Sequence, residues 1–310
     1  MKNTIISILV LLLLGGGLYF YIQSTKDTPE DLAPTITDAN DLSDEPMPVE
    51  PDGGIGDGAE PLPEVEETEK TVGNSIKGTP ITAHHYGTGD TEVLIVAGVH
   101  GGYAPNTTLL AYEMMDYFDA NPTSIPDDVR VTIVPVLNPD GLERVVGTTG
   151  RFTIDDVTGD QVQGRFNSND VDLNRNFDCQ WQAEGTWRSQ TVSGGSEPFS
   201  EPESKALRNF VRELEPDAVV VYYAAAGGVY ASSCNGAVSA ETLALTNTYA
   251  DASDYEANEE FDFYELNGDM VNWMASQNIP AISVLLTDRT STELSKNQAG
   301  VMAVLNSVSE

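Results

Sequence analysis

The chain has 310 residues, of which 49 are acidic and 15 basic, giving a formal net charge of −34 at neutral pH. That charge argues against nucleic acid and anionic lipid headgroups as partners, because both would be repelled on approach. The scarcity of basic residues also fits a protein living in high salt.

In chain order, residues 1–3 read as a short cytoplasmic end, and 4–22 as an almost unbroken apolar run that includes Leu11 to Leu14. At about 1.5 Å per residue such a run is long enough to cross a bilayer core of about 30 Å. A cleaved signal peptide is the competing reading, but the run is long for one and no small-x-small cleavage site follows Ile22. The expectation is a single-pass membrane protein with its bulk extracytoplasmic. Between Asp27 and Glu69 there are fifteen carboxylates and no Lys or Arg. A segment so charged repels itself and lacks apolar residues to bury, which predicts a disordered tether over 23–76.

Residues 77–310 then form one domain, large enough for a sizeable core. Apolar strand-like runs alternate with helical patterns, the signature of an α/β fold: a mixed, largely parallel central sheet flanked by helices on both faces. Strands are predicted over 93–99, 129–137, 218–223 and 281–286. Helices are predicted over 106–118, from the Ser200-Glu-Pro-Glu-Ser204 cap to Leu214, over 269–277 and over 290–307. In sheets of this kind sites form beyond the carboxyl ends of strands, where His100, Asn138, Tyr223 and Leu285 fall. His84 and His85 adjoin on a presumed first strand and so face opposite sides, a poor arrangement for one metal ion. Cys179 and Cys234 are the only cysteines, and in an exported domain they predict one structural disulfide.

Three motifs in fixed order carry a resemblance: Val96-Ala-Gly-Val-His100-Gly-Gly, Asn138-Pro-Asp-Gly141 and Val171-Asp-Leu-Asn-Arg-Asn-Phe177. Together with Gly194-Gly-Ser-Glu-Pro-Phe-Ser-Glu-Pro-Glu203 they resemble the zinc carboxypeptidase family, including its bacterial branch that trims cell-wall stem peptides. The resemblance covers roughly residues 81–306. It implies a zinc held by His, Glu and His, a Glu as general base, and an Asn-Arg pair gripping the terminal carboxylate of a peptide. It also places Cys179 and Cys234 on loops that meet beside the specificity pocket, which supports their bridging.

Most of the implied metal chemistry has no residue to carry it. His100 matches the first ligand. The Glu place of His-x-x-Glu holds Tyr103, or Ala104 if the alignment slides by one, and the third-ligand place holds Tyr223. Leu285 stands where the general base belongs, and leucine cannot accept a proton. One His alone binds zinc far more weakly than three preorganised ligands. The substrate-holding half is better matched: Asn174 and Arg175 fit the Asn-Arg pair, and Arg165 fits an upstream arginine that polarises the scissile carbonyl. A guanidinium suits this because its planar fork donates two parallel bonds to a carboxylate. The plainer reading of Arg175 is a buried ion pair with Asp172 or Asp178.

The resulting expectation is a membrane-tethered pseudoenzyme, without a bound metal, that holds the carboxy terminus of a peptide or stem peptide. Two alternatives stay open. One is an active zinc-dependent carboxypeptidase using His100, Tyr103 and Asp288; the other is a scaffold whose pocket is filled by Tyr103 and Tyr223.

Overall fold

The computed structural model describes residues 68–309. The expected anchor at 4–22 and most of the expected tether lie outside the described residues. The chain within them starts earlier than the sequence implies. β1 (Glu69–Asn74), expected in the tether, pairs antiparallel with β2 (Pro80–Tyr86). Its sequence does not announce it, because it is an edge strand with polar residues on its solvent side. Only Val72 packs inward, and Lys70 reaches Glu213 at 2.6 Å.

β3 (Thr91–Val96) leads into α1 (Pro105–Ala120), and β4 (Val129–Val134) into α2 (Pro139–Val146). A small hairpin follows, β5 (Glu184–Trp187) with β6 (Gln190–Ser193). Then come α3 (Pro202–Leu214), β7 (Ala218–Ala224), β8 (Gly228–Ala231), α4 (Ala240–Ser253), β9 (Ala257–Asn258), α5 (Met270–Ser276), β10 (Ala281–Leu286) and α6 (Leu294–Val308). The expected terminal helix therefore begins at Leu294 rather than Thr290, because residues 287–293 turn back through Asp288 and Glu293 side-chain bonds to the backbone.

The main sheet runs β1-β2-β4-β3-β7-β10-β8-β9. Its centre, β4-β3-β7-β10, is parallel, with antiparallel pairing at β1-β2, β2-β4 and β10-β8. This is the mixed, largely parallel sheet expected. The central strands are apolar on both faces because both are covered. On β3, Val93 and Ile95 enter the core beneath α1, α4 and α6, whereas Leu94 and Val96 enter the core against α3 and α5. β7 splits in the same way, and its second face carries Val219, Val221 and Tyr223. Among the described residues, no helix is long and apolar enough to cross a membrane.

Candidate binding site

A cavity of about 880 Å³ opens beyond the carboxyl ends of β3, β7 and β10. His100 reaches it because the chain leaving β3 turns tightly against α2. Gly101 has φ +41°, and a Cβ there would lie 2.7 Å from the Leu142 amide nitrogen. Asn138 holds the other side of this contact, its side chain accepting from the Gly141 amide at 2.9 Å while its own amide donates to the Gly98 carbonyl. The Asn-Pro-Asp-Gly turn is thus the start of a capped helix whose position sets the His-Gly-Gly bend.

His100 is buried, with Nε2 3.4 Å from Asp172 Oδ1 and no well-formed hydrogen bond. Burial, reinforced by the Arg165 guanidinium, lowers its pKa to about 4, so the imidazole is neutral at physiological pH. Asp172 is fully buried. Its Oδ2 accepts from Arg165 Nε at 2.9 Å and lies 2.7 Å from Arg165 Nη2, while Oδ1 accepts from the Asn174 amide at 3.1 Å. Burial opposes its charge, yet Arg165 and the His100 contact hold the carboxyl below the usual range. Arg165 is equally enclosed, its guanidinium 4.5 Å from the Trp187 ring and 5.4 Å from that of Tyr103.

Two phenol rings flank His100. The Tyr223 ring centroid is 5.5 Å from the imidazole and that of Tyr103 is 6.3 Å away. The Tyr223 hydroxyl donates to Asn174 Oδ1 at 2.9 Å, and burial pushes its pKa well above the ordinary value, so it stays a neutral donor. The Tyr103 hydroxyl accepts from Arg289 at 2.8 Å, and its ring stacks edge-on against Trp187 at 5.0 Å. Leu285 is paired in register with Tyr223 across β10 and β7, and both line the cavity. Ala104 is buried in the same small cluster as Tyr103 but does not line the cavity.

A three-ligand zinc centre does not fit these groups. Zinc takes nitrogen, thiolate or carboxylate donors with one open position. Here the neighbours of His100 are two phenols already in hydrogen bonds and a carboxylate committed to Arg165, and Leu285 stands beside Tyr223 on the adjacent strand. Among the described residues, no three His, Cys, Asp or Glu side chains converge to hold a metal. Asp288, the carboxylate considered as a substitute, lies on an exposed loop where Oδ1 caps the amides of Thr290 and Ser291, and it does not line the cavity.

Of the expected carboxylate-binding residues, Arg165 and Asn174 line the cavity and Arg175 does not. Asn174 is spent on structure: Nδ2 donates to Asp269 at 2.7 Å, and Oδ1 also accepts from the Met270 amide at 3.2 Å. Arg175 lies behind the wall. Its Nη1 and Nη2 each donate to a carbonyl at 2.7 Å, of Asn174 and Thr186 respectively, and Nε has no partner. It pairs with neither Asp172 nor Asp178. The β5–β6 hairpin lies directly over it, and a Cβ at Gly185 would sit 2.7 Å from Arg175 Cδ. On the cavity side the Tyr264 ring stands 5.7 Å from its guanidinium. Asn176, last of the Asn-Arg-Asn triplet, ties down the loop before α3 by donating to the Gly194 carbonyl and accepting from the Glu201 amide.

Trp187 and residues 259–266 also line the cavity. The signal in that loop was present: acids and aromatics alternate in Glu259-Glu-Phe-Asp-Phe-Tyr-Glu265. Tyr230 and Tyr264 bring two phenols to the wall. The expected Cys179–Cys234 disulfide is present and joins two segments that border the cavity at Gln180 and Asn235. Tyr103 and Tyr223, the rings on which the scaffold reading turns, are buried and border this cavity.

A family model described as zinc carboxypeptidase matches residues 64–299. Murein peptide amidase A of Escherichia coli K12 is 27% identical over 162 residues, which is 49% of this chain and 57% of that protein. Gamma-D-glutamyl-L-diamino acid endopeptidase 1 of Lysinibacillus sphaericus is 26% identical over 163 residues, covering 46% of this chain and 41% of the relative. The chain spans about half the length of these curated relatives. Among solved structures, the murein-tripeptide amidase of Escherichia coli O157 has a TM-score of 0.55 at 20% identity, covering 78% of this chain and 92% of that one. Bovine thrombin-activatable fibrinolysis inhibitor, solved with tick carboxypeptidase inhibitor, has a TM-score of 0.62 at 16% identity, covering 77% and 89%. At these identities the solved structures speak to the fold.

Proposed function

The chain belongs to the zinc carboxypeptidase family, and on that premise we propose that it binds the carboxy-terminal end of a peptide in the 880 Å³ cavity without hydrolysing it. The observation that carries the proposal is the adjacent pair Leu285 and Tyr223 at the inner end of the cavity. The side chains at these two positions supply neither a proton acceptor nor a metal donor. What persists is recognition: a concave site with Arg165 in its wall, rigidly held by Asp172 and by stacking on Trp187. Its guanidinium can share a hydrogen bond with an incoming carboxylate from the cavity side, and Arg175 adds positive charge from behind. A cell-wall stem peptide is the ligand class favoured, since two relatives are named for murein or diamino-acid peptide chemistry.

Isothermal titration of peptides against their carboxy-terminal amides tests this reading. The free acids are expected to bind at least about tenfold more tightly, the worth of one charge-assisted hydrogen bond, with no amino acid released on long incubation. Equal affinity for acid and amide, or chelator-sensitive release of amino acid, would overturn it. The proposal also holds this domain at the outer face of a membrane through residues 4–22. Alkaline carbonate extraction should leave the full chain with the membranes, and its quantitative release would remove that part of the proposal.

A further inference from the structure

The stretch of cavity wall formed by residues 259–266 differs in charge from the stretch around Trp187, where Arg165 and Arg188 stand. Tyr230, Phe261 and Phe263 form a cluster there, with centroids 5.5 Å apart for Tyr230–Phe261, 5.2 Å for Phe261–Phe263 and 6.4 Å for Tyr230–Phe263. Phe263 is 62% exposed, the most exposed large apolar side chain among the described residues. A ring left in water on a cavity wall, packed on two other rings, offers a flat face to something that enters. Glu260, Asp262 and Glu265, from the same stretch of chain, line the cavity as well. Among the described residues none of the three makes a salt bridge, whereas Arg165 and Arg188 stack on Trp187 in the hairpin wall.

Aromatic faces carry negative potential and attract cations, the more so when carboxylates stand around them. A neutral apolar group would gain from the rings but would force the carboxylates of the same wall toward a drier site. An ammonium on an aliphatic stem gains from both, laying its methylenes on the rings and its charge among the acids. We infer that the Tyr230–Phe261–Phe263 wall is a subsite for an ammonium-bearing side chain of the bound peptide. The inference rests on the peptide-binding reading above. It gives the cavity two poles, a guanidinium wall for the carboxylate and an aromatic, acidic wall for the amine.

The test uses the full chain and peptides in which each of the last three positions carries lysine or its uncharged counterpart norleucine. At one of these positions the lysine peptide is expected to bind about tenfold more tightly, and the difference should shrink as ionic strength rises. Phe263→Ala combined with Glu260→Gln should abolish the preference, with the lysine peptide losing more affinity than the norleucine peptide, whose methylenes lose only their contact with the ring. Because Phe263 is exposed, its removal leaves the packed core intact. Norleucine peptides that bind as well as lysine peptides at all three positions would overturn the subsite and leave the binding reading standing. A preference that survives both substitutions would overturn the assignment to this wall. If no peptide of either kind binds, the binding reading fails and the subsite with it.

Discussion

The double variant Tyr103→Glu, Tyr223→His is expected to retain about one equivalent of zinc after exhaustive dialysis, while the unaltered chain retains far less. Both rings flank His100, at 5.5 and 6.3 Å between centroids, so new donors at these positions would lie within reach of one ion beside the imidazole. Neutral His100 is already in the protonation state a metal requires, and Asp172 beside Nε2 is the kind of carboxylate that orients a ligating imidazole. Going from one donor to three should raise zinc affinity by on the order of a thousandfold or more. Adding Leu285→Glu to the pair supplies a proton acceptor, and chelator-sensitive release of amino acid from peptides is expected only then. Zinc content by elemental analysis, with circular dichroism to verify folding, reads the result. A folded double variant that holds no more zinc than the unaltered chain would show that Tyr103 and Tyr223 do not stand at ligand positions. Stoichiometric zinc in the unaltered chain would instead favour an active enzyme with unusual ligands.

That prediction depends on residues whose places could be read from the sequence, and the reason is local. His100, Asn138, Tyr223 and Leu285 all follow or end strands whose continuous apolar runs mark them as central and parallel. The placement of the cavity at their carboxyl ends is a property of such sheets. The disulfide was legible for a similar reason, since only two cysteines were available.

What stayed hidden depends on contacts between distant segments. Arg175 reads as a ligand-facing arginine because its neighbours match a motif. Whether it faces the cavity is decided ten residues later by a hairpin of four-residue strands, with Gly185 where any larger residue would collide with its side chain. Short, half-exposed strands of this kind carry little periodicity, so nothing local announces the cover. β1 escaped notice because an edge strand needs only one buried face and here buries only part of it. The partner of Arg165 is a subtler case. Asp172 is seven residues away and visible, but two arginines competed for it, and only the fold determines that Arg165 wins and Arg175 turns to carbonyls. The loop at 259–266 mixes acids and aromatics as solvent-exposed sequence often does, and only the fold brings them to one cavity wall.

Asp172→Asn is expected to cost about 3–5 kcal/mol, the usual penalty for leaving one member of a buried ion pair without its partner. Arg165 is only 2% exposed and Asp172 fully buried, so water cannot replace the lost carboxylate, and Asn offers no negative charge to the guanidinium. The same change removes the charged acceptor of the Asn174 amide and the neighbour of His100, so the effects spread along the inner end of the cavity. For a domain of this size the melting temperature should fall by about 10 °C. Lys70→Ala is the control, since the Lys70–Glu213 pair is well exposed and its loss should cost less than about 1 kcal/mol. The pH dependence has a definite sign. The folded-state pKa of Asp172 is depressed, so its contribution is present above the unfolded carboxyl value near 4 and is lost as pH falls toward the folded value. His100 is held neutral down to about pH 4, whereas in the unfolded chain it takes up a proton near 6.5, so it too withdraws stability as pH falls between those values. Urea denaturation of the unaltered protein should therefore show a steady loss of stability from pH 6.5 to 4. In Asp172→Asn the part contributed by the carboxyl disappears, leaving a shallower acid slope below about pH 4 from an already lower plateau. If the variant proves no less stable than Lys70→Ala at neutral pH, the Arg165–Asp172 pair is not the rigid support on which carboxylate recognition is argued to depend.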